Sequence, residues 1–318
     1  MRGVPRGLMG FSTTWIGDCS AWECDELGHL NMSFYFDKFE QARMGLFIRL
    51  GLSRHFTPDA HSTVRARDVH IKYLAEARPG SPLRIESALL NLGDDGTARV
   101  GHVMYHRDGR MAATLNEVVE HVYLPDERVF AWPSRLRAEA GDHTDQMPAP
   151  ARPRNLSLDW PLPARSRAEL EAAGTGVIGG GVFLPGDATA AGHIPVSRLF
   201  RRITTSLGWY NGGWPEFSDP EYQASGGSAV VLEIRVRLPR LAHVGTAYAI
   251  APAVVHAEHY IRTIMHNIVD VTTGESLLTG YAAGGLFDLN TRKLRMPTED
   301  GLKALNAVAV EALAPPAA

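Results

Sequence analysis

Hydrophobic and polar positions follow two different periods in the first third of the chain. From about Asn31 to Leu50 the apolar residues recur at helical spacing without a proline, which predicts one long helix ending at Gly51. Five other stretches have the two-residue period or the composition of strands: residues 13–24, 62–76, 82–92, 97–105 and 110–124. Because the helix is apolar over much of its circumference, this order predicts an α+β fold, with an antiparallel sheet wrapped around one long central helix.

The second half of the chain repeats this order of elements. A strand at 176–184 and a helix at 196–209 precede four strands, at 228–238, 248–256, 260–271 and 277–289. Three landmarks recur at one constant offset in residue number, 164: Gly28-His29 with Gly192-His193, Arg128 with Arg292, and Pro133 with Pro297. A constant offset across most of each half predicts a duplicated domain.

Prolines interrupt every apolar run between the two halves, at positions 133, 148, 150, 153, 161 and 163. Proline fixes φ and removes a backbone donor, so this composition predicts a partly extended linker. The predicted division is a first domain over residues 1–130, a linker over 131–173 and a second domain over 174–318.

The composition argues against several classes of protein. The chain has 318 residues, of which 45% are hydrophobic and 21% charged, as in globular proteins. Its net charge of −3 and the lack of a basic run speak against a nucleic-acid partner. We expect no membrane span, because no stretch reaches ~18 apolar residues, and residues 1–10 lack the apolar core of a signal peptide. The two cysteines, Cys19 and Cys24, are expected to be free thiols in a reducing compartment, which predicts a cytoplasmic protein.

A dense group of polar residues stands immediately before the long helix. Asp25, Gly28, His29 and Asn31 fall within seven positions. An aspartate with a pKa near ~4 is ionised at neutral pH, so it could activate a water molecule or attack a carbonyl carbon. The helix start offers unpaired N–H groups to a developing oxyanion, and His29 and Asn31 could orient the carbonyl or the water.

A wider motif surrounds this group. It runs Asp25-x-x-Gly28-His29-Leu30-Asn31, then Tyr35, then Phe39-Glu40-x-Ala42-Arg43, and later Ile71-x-Tyr73-Leu74. In its strand, turn and helix context the motif resembles that of the hotdog-fold thioesterases, in particular the 4-hydroxybenzoyl-CoA thioesterase-like branch. The resemblance implies two hotdog domains in one chain and hydrolysis of an acyl-CoA, with acyl carrier protein as the alternative carrier.

The resemblance also implies the residues of the site. It makes Asp25, His29 and Asn31 catalytic, and it places Gly28, Met32, Tyr35 and His193 against the substrate. It implies no metal, and no cofactor beyond the coenzyme A of the substrate.

The second copy of the motif has lost two of its polar residues. Thr189 stands where Asp25 would align, and Pro195 where Asn31 would align. In this family thioester sites form where two hotdogs meet, so we expect one working site and regard His193 as a structural remnant of the duplication. Whether two chains associate further into a homodimer is left open.

Three other interpretations compete with this one. Asp25 could serve only to stabilise a turn before a helix. The chain could instead be a hotdog enoyl-CoA hydratase, because Asp187 and His193 weakly resemble the Asp and His pattern of those enzymes. It could also be a non-catalytic acyl-CoA-binding module. Glu40 and Arg43 are three residues apart on one helix, so we interpret them as a solvated or semi-buried ion pair.

Overall fold

A computed structural model describes residues 10–140, 145–210 and 213–315. Most of the stretch considered for a signal peptide, and residues 141–144 of the predicted linker, lie outside the described residues. The helices are α1 (Met32–Arg49), α2 (Ser134–Ala140), α3 (Arg167–Ala172), α4 (Val196–Thr204), α5 (Pro220–Ala224) and α6 (Glu299–Ala307).

Fifteen strands are found in the described residues: β1 (Ser12–Asp18), β2 (Ser62–Tyr73), β3 (Pro82–Leu92), β4 (Thr97–His106), β5 (Met111–Tyr123), β6 (Arg128–Val129), β7 (Gly179–Val182), β8 (His193–Ile194), β9 (Gly227–Arg237), β10 (Ala242–His243), β11 (Ala247–Ile250), β12 (Ala253–Glu258), β13 (Ile261–Asp270), β14 (Ser276–Asp288) and β15 (Lys293–Leu294). Their ladders are antiparallel. The α+β prediction is therefore confirmed.

Helix α1 has the predicted bounds to within one residue. Asn31 is its N-cap, with an extended backbone and a side-chain Oδ1 that accepts a hydrogen bond from the Ser33 N–H at 3.0 Å. This bond satisfies one of the N–H groups that a helix start leaves unpaired. Beyond the last turn, Gly51 adopts a φ of +90°, which ends the helix at low steric cost.

The chain forms two compact units, and each draws on separate parts of the sequence. Unit 1 comprises Met1–Arg152, Phe183–Thr204 and Arg240–Gly245. Its main sheet has the order β1-β3-β4-β5-β2, with β6 beside β5, and α1 lies against β1, β3 and β4. Leu46 and Phe47 of α1 share a core with residues of the sheet and with Trp132, whose ring stacks on Phe47 at 5.5 Å.

Unit 2 comprises Pro153–Val182, Thr205–Pro239 and Thr246–Ala318. Its sheet has the order β9-β14-β13-β11-β7, with β12 beside β13 and β15 beside β14. This is the strand order of unit 1 when β7, β11, β13, β14 and β9 are matched to β1, β3, β4, β5 and β2. The helices α1 and α4 begin at 32 and 196, and the strands β4 and β13 begin at 97 and 261, so both pairs keep the offset found in the sequence.

The proline-rich segment is more anchored than its composition predicts. Trp132 is buried in unit 1, where its Nε1–H donates to the Thr97 carbonyl at 2.8 Å. Leu156, Leu162 and Leu170 are buried in the core of unit 2. The apolar side chains between the prolines therefore pack as parts of the two units, although prolines keep most of their backbone irregular.

Three predicted elements differ markedly in extent. The strand predicted at 13–24 ends at Asp18, as β1, and one turn of 3₁₀ helix follows at Ala21–Glu23. The helix predicted at 196–209 ends at Thr204, so α4 has nine residues and the prediction of a second long central helix is wrong. Ile203, Thr204 and Thr205 are β-branched, and such residues lose side-chain freedom in a helix. The strand predicted at 248–256 is two strands, β11 and β12, because Pro252 has no N–H to donate to a ladder.

Candidate active site

The residues from Asp25 to His29 form a closed turn at the base of α1. The Asp25 N–H donates to the His29 carbonyl at 2.9 Å, and the Gly28 N–H donates to the Asp25 carbonyl at 3.0 Å. Gly28 has a φ of +72°, a left-handed conformation that glycine adopts without strain. The turn holds three of the predicted site residues together, at the point where the chain enters the helix.

The carboxylate of Asp25 stabilises this turn through one oxygen. Its Oδ1 accepts hydrogen bonds from the N–H groups of Leu27 at 3.0 Å and His29 at 3.3 Å. Within the described residues no hydrogen bond occupies Oδ2. Burial raises the pKa of the Asp25 carboxyl above its usual range, against the lowering effect of the two N–H bonds. The turn-stabilising role is thus present, and it leaves one oxygen for a ligand.

The imidazole of His29 faces a carboxylate that the sequence motif did not point to. Its Nε2 lies 3.2 Å from Glu76 Oε2, and the His29 side chain is only 12% exposed. Glu76 is far away in the sequence, in the loop after β2, so local spacing carries no signal of this contact. The pair brings a second negative charge to the turn that holds Asp25.

The start of α1 presents an N–H group next to the turn. Asn31 Oδ1 accepts from both the N–H and the hydroxyl of Ser33, at 3.0 and 2.9 Å. Met32 is the first residue of the helix, and no acceptor for its N–H is found among the described residues. The positive end of the helix dipole therefore adjoins the Asp25 turn.

Tyr35, predicted to contact the substrate, lies in the core behind the turn. It is 4% exposed, and its ring packs edge-on against Tyr73 with centroids 5.0 Å apart. Burial raises the pKa of its hydroxyl, and the charges of Glu76 and Asp25 add to the effect. The Tyr73 hydroxyl is buried without a hydrogen-bond partner in the described part of the chain.

His193 lies in a second turn with the same backbone bonds. The Thr189 N–H donates to the His193 carbonyl at 2.8 Å, and the Gly192 N–H donates to the Thr189 carbonyl at 2.9 Å. His193 Nδ1 is 3.2 Å from the Thr189 hydroxyl. Burial, followed by the nearby charge of Arg43, lowers the pKa of His193 to about 4. His193 is therefore neutral at pH 7, and its described contacts do not include the Asp25 turn.

This second turn borders a small cavity inside unit 1. It is lined by Glu40, Arg43, Thr63, Thr189 and His193, among others, and only about 10 Å³ of it can hold the centre of a water molecule. About 10–15 Å³ by this measure holds one water molecule, so the cavity is too small for an organic ligand.

The Glu40 and Arg43 pair is fully buried, in contrast to the solvated or semi-buried prediction. Arg43 Nη2 donates to Glu40 Oε1 at 3.1 Å, and its Nη1 donates to Glu117 Oε2 at 2.8 Å. His102 Nε2 lies 3.0 Å from the other oxygen of Glu117. Burial raises the pKa of Glu40 to about 7 despite the adjacent arginine. The missing partner, Glu117, comes from β5, far from Arg43 in the sequence.

An exposed aromatic surface also adjoins the turn, and the sequence motif did not indicate it. Trp22 is 73% exposed and packs edge-on against Phe34, with ring centroids 5.4 Å apart. The guanidinium of Arg201, from α4, lies 4.4 Å from the centroid of the Phe34 ring. Arg198 is one helical turn away from Arg201. We call these four residues the aromatic platform.

Asp187, the acidic member of the hydratase-like pattern, pairs with Arg202 and not with His193. Its two carboxylate oxygens accept from Arg202 Nη2 at 2.8 and 2.7 Å. His193 bonds to Thr189 instead. The two residues are therefore not assembled into one site.

Within residues 10–140, 145–210 and 213–315, no group of three or more His, Cys, Asp or Glu side chains is placed to hold a metal ion. No helix in the same ranges is both long and apolar enough to cross a membrane.

Comparison with known proteins supports the resemblance to thioesterases. Residues 19–139 match the profile of the Thioesterase-like superfamily. A curated protein of Agrobacterium fabrum (strain C58 / ATCC 33970), L-carnitine dehydrogenase/betainyl-CoA thioesterase, is 32% identical over 148 residues. That alignment covers 46% of this chain and 28% of the relative, so the chain spans less than a third of the length of that relative.

Solved structures share the fold at low identity. A candidate oleoyl thioesterase of Lactobacillus plantarum superposes with a TM-score of 0.63 at 13% identity, covering 88% of this chain and 98% of that one. The 12:0-ACP thioesterase of Umbellularia californica superposes with a TM-score of 0.61 at 11% identity, covering 88% and 94%. The predicted resemblance to hotdog-fold thioesterases is confirmed. The roles of the individual site residues stay predictions.

Proposed function

We propose that this chain, whose residues 19–139 match the Thioesterase-like superfamily, hydrolyses acyl-CoA thioesters to a free acid and coenzyme A. The observation that carries the proposal is the Asp25 turn. It holds a partly buried carboxylate with one oxygen available, directly beside the N-terminus of α1. A base or nucleophile next to a cluster of N–H groups is the arrangement that acyl transfer needs.

In this mechanism Asp25 Oδ2 either takes a proton from the attacking water or attacks the thioester carbonyl itself. The N–H groups of Leu27 and His29 hold Oδ1 and thereby fix the direction of Oδ2. The Met32 N–H, at the positive end of the helix, donates to the oxyanion as the tetrahedral intermediate forms. One such donor is typically worth about 10²–10³ in rate.

His29 and Asn31 position these groups. Glu76 orients the imidazole of His29 through the contact at 3.2 Å. Asn31 caps the helix that carries the Met32 N–H, and its amide nitrogen, free of described partners, is available to the carbonyl or the water. Gly28 allows the turn to close, and Tyr35 forms part of the apolar wall behind it.

The aromatic platform favours coenzyme A over acyl carrier protein as the thiol carrier. Coenzyme A ends in a phosphorylated adenosine, whereas the pantetheine arm of acyl carrier protein ends on a protein serine. An exposed indole stacks well on a base, and arginine side chains attract phosphate groups. Trp22 and Arg201 both contact Phe34 next to the turn, and Arg198 lies one helical turn from Arg201 on α4.

The carrier is tested by comparing an acyl-CoA with the same acyl group on pantetheine, which lacks the nucleotide. Since stacking on an aromatic side chain contributes about 1–3 kcal/mol per base, Trp22→Ala should raise KM for the acyl-CoA roughly tenfold and leave KM for the acyl-pantetheine unchanged. Trp209→Ala, at a tryptophan that is 80% exposed elsewhere, is the matched control. An equal rise of KM for both substrates would exclude nucleotide binding at the platform.

For the acyl group we favour a short, cationic one. The 32% identical relative carries betainyl-CoA in its name, and a betainyl group ends in a quaternary ammonium. Asp25 and Glu76 supply negative charge near the rings of Tyr35 and Tyr73, and cations are attracted to both carboxylates and aromatic faces. Thiol release from betainyl-CoA, lauroyl-CoA and oleoyl-CoA should therefore be fastest with betainyl-CoA. A preference for oleoyl-CoA would contradict this assignment.

We also propose that the chain arose by duplication. The shared strand order, the constant offset between matching elements and the matching turns at Asp25 and Thr189 support this origin. Because threonine replaces the aspartate in the second turn, we expect hydrolysis at the Asp25 turn alone. Thr189→Ala should therefore leave kcat unchanged within about twofold, as a neutral side chain contributes no base.

A further inference from the structure

The two cysteines of the chain lie in contact beside the candidate active site. Their Sγ atoms are 3.5 Å apart, whereas the sulfurs of a disulfide are separated by about 2.05 Å. Their other hydrogen-bond contacts are weak ones to backbone carbonyls, from Cys19 Sγ to Ala77 O at 3.8 Å and from Cys24 Sγ to Ser20 O at 3.6 Å. No strong bond has to break for the sulfurs to approach each other.

We propose that Cys19 and Cys24 are an oxidation site, at which a low-molecular-weight disulfide such as glutathione disulfide closes an internal disulfide that displaces the Asp25 turn. Its effect on hydrolysis rests on the proposed thioesterase function, whereas the bond itself does not. Both thiols are free in this structure.

The two cysteines differ in access. Cys19 is 0% exposed, while Cys24 is partly exposed and can meet an oxidant. Burial, with a contribution from the contact to Cys24, raises the pKa of Cys19 to about 12. Thiolate is the attacking species in thiol exchange. Cys24 therefore reacts first, and Cys19 completes the reaction slowly.

The exchange balances in two steps. The Cys24 thiolate attacks one sulfur of glutathione disulfide, forms a mixed disulfide and releases one glutathione thiolate, which takes up a proton. Cys19 then loses its proton and attacks the Cys24 sulfur, and the second glutathione leaves. The two cysteines give up two electrons and two protons, and one glutathione disulfide becomes two glutathione thiols.

The backbone decides which cysteine moves when the bond closes. Cys19 is held on both sides, since its N–H donates to the Ser81 carbonyl at 3.0 Å and its carbonyl accepts from the Gly80 N–H at 2.7 Å. Cys24 is held less tightly, since its N–H donates one longer bond to the Ala21 carbonyl at 3.3 Å and its only ladder pairing in the described residues is an isolated bridge with Leu30. The movement of about 1.5 Å that the sulfurs need therefore falls mainly on Cys24.

Asp25 follows Cys24 directly, so displacement of Cys24 shifts the carboxylate relative to the start of α1. A misplacement of about 1 Å in an active site can cost roughly 10²-fold in rate. The expected loss of kcat on oxidation is therefore about ten- to a hundredfold. Because the change is covalent and reversible, reduction by dithiothreitol restores the rate.

The test incubates the full chain with glutathione disulfide at mildly alkaline pH and then blocks the remaining thiols with N-ethylmaleimide. We expect a protein lighter by two hydrogen atoms, and a peptide that links Cys19 to Cys24. The rate of cleavage after the exposed Glu26 by a glutamate-specific protease should differ between the oxidised and the reduced protein, because the turn moves with Cys24. This second measurement needs no enzymatic activity, and an unchanged rate would contradict the displacement of the turn.

Cys24→Ser and Cys19→Ser are the matched variants. Each should hydrolyse acyl-CoA like the reduced wild type and not respond to glutathione disulfide; Cys24→Ser suffices if the buried Cys19 does not tolerate serine. Two blocked thiols, or a lasting glutathione adduct on Cys24, would overturn the proposal. So would a closed disulfide with unchanged kcat. If the reduced wild type releases no thiol from acyl-CoA, the thioesterase proposal fails. The mass and the protease measurements still show whether the disulfide forms and whether it moves the turn.

Discussion

Asp25 illustrates how one side chain can serve structure and chemistry together. Its Oδ1 holds the turn through two N–H bonds, which is the role expected of an aspartate before a helix. The remaining oxygen lies beside the helix start. The structural role therefore fixes the orientation that the chemical role requires.

The pH dependence of hydrolysis should report the pKa of Asp25. The carboxylate is the active form, so kcat/KM falls as the pH falls through its pKa. Burial raises this pKa, and Glu26 adds to the rise. The acid limb of the profile should lie above the value of about 3.9 for an ordinary aspartate, and Glu26→Gln should move it to lower pH. An acid limb at or below the ordinary value would contradict this role.

Two substitutions of Asn31 separate its role as the N-cap of α1 from its proposed contact with the substrate. Asn31→Ala removes the cap and should lower the free energy of unfolding by about 0.5–2 kcal/mol in urea denaturation. Asn31→Ser retains an acceptor for the Ser33 N–H and should keep the stability. If the amide contacts the substrate, Asn31→Ser still lowers kcat about tenfold. Unchanged kcat in the serine variant would limit Asn31 to capping.

The residue contacts mark the limit of what the sequence predicts. The Asp-x-x-Gly-His motif predicted the turn, because its bonds join residues within five positions. Glu76 beside His29 and Glu117 beside Arg43 could not be predicted, since they depend on how distant strands and loops pair. Trp22 was part of the stretch that drew attention, yet only the structure places it against Phe34 and Arg201.

At the scale of elements, helix α1 packs closely on β1. A Cβ added at Gly45 would lie 2.8 Å from the Thr14 carbonyl oxygen, a backbone atom that cannot turn aside. Gly45→Ala gains about 1 kcal/mol of helix propensity, and overpacking costs about 1–3 kcal/mol. We expect a net loss of up to about 2 kcal/mol in the free energy of unfolding, measured with urea.

Gly186→Ala is the control for this prediction, because nothing lies within 4 Å of its added Cβ. It should leave the free energy of unfolding nearly unchanged. A stabilised Gly45→Ala variant would mean that α1 can move away from β1 at little cost.

The periodicity predicted most elements well, because each depends on its own residues. Helix α1 and strands β2 to β5 lie within a few residues of their predicted bounds. The prediction was wrong where a local feature overrides the period, at Pro252 and at the β-branched end of α4. The linker prediction also missed the burial of the leucines in the proline-rich segment, because that burial depends on the sheet that they cover.

At the scale of the whole molecule, a buried charge network connects several elements of unit 1. It joins α1, β5, β4 and β3 through Arg43, Glu117, His102 and Ser87. Burial alone would raise the pKa of Glu117, but Arg43 and His102 lower it. This contribution to stability is therefore present above the unfolded pKa and is lost as the pH falls through the lowered folded value.

Glu117→Gln should be severely destabilising, because it leaves Arg43 buried with less compensation. Breaking a buried ion pair typically costs about 3–5 kcal/mol. Glu86→Gln disrupts a more exposed pair with Arg84 and should cost no more than about 1 kcal/mol. Urea denaturation at neutral pH compares the two variants. Equal effects would show that the network contributes little to the stability of the fold.

The central claim is that Asp25 performs the chemistry of thioester hydrolysis. Asp25→Asn keeps an oxygen that can accept the hydrogen bonds of the Leu27 and His29 N–H groups, so the turn should persist while the base is lost. The most direct measurement is thiol release from betainyl-CoA by wild type and Asp25→Asn, with Glu26→Gln as the control. We expect Asp25→Asn to lose at least about 10²-fold in kcat and Glu26→Gln to keep its kcat at neutral pH. An Asp25→Asn variant that releases thiol at the wild-type rate would contradict the account.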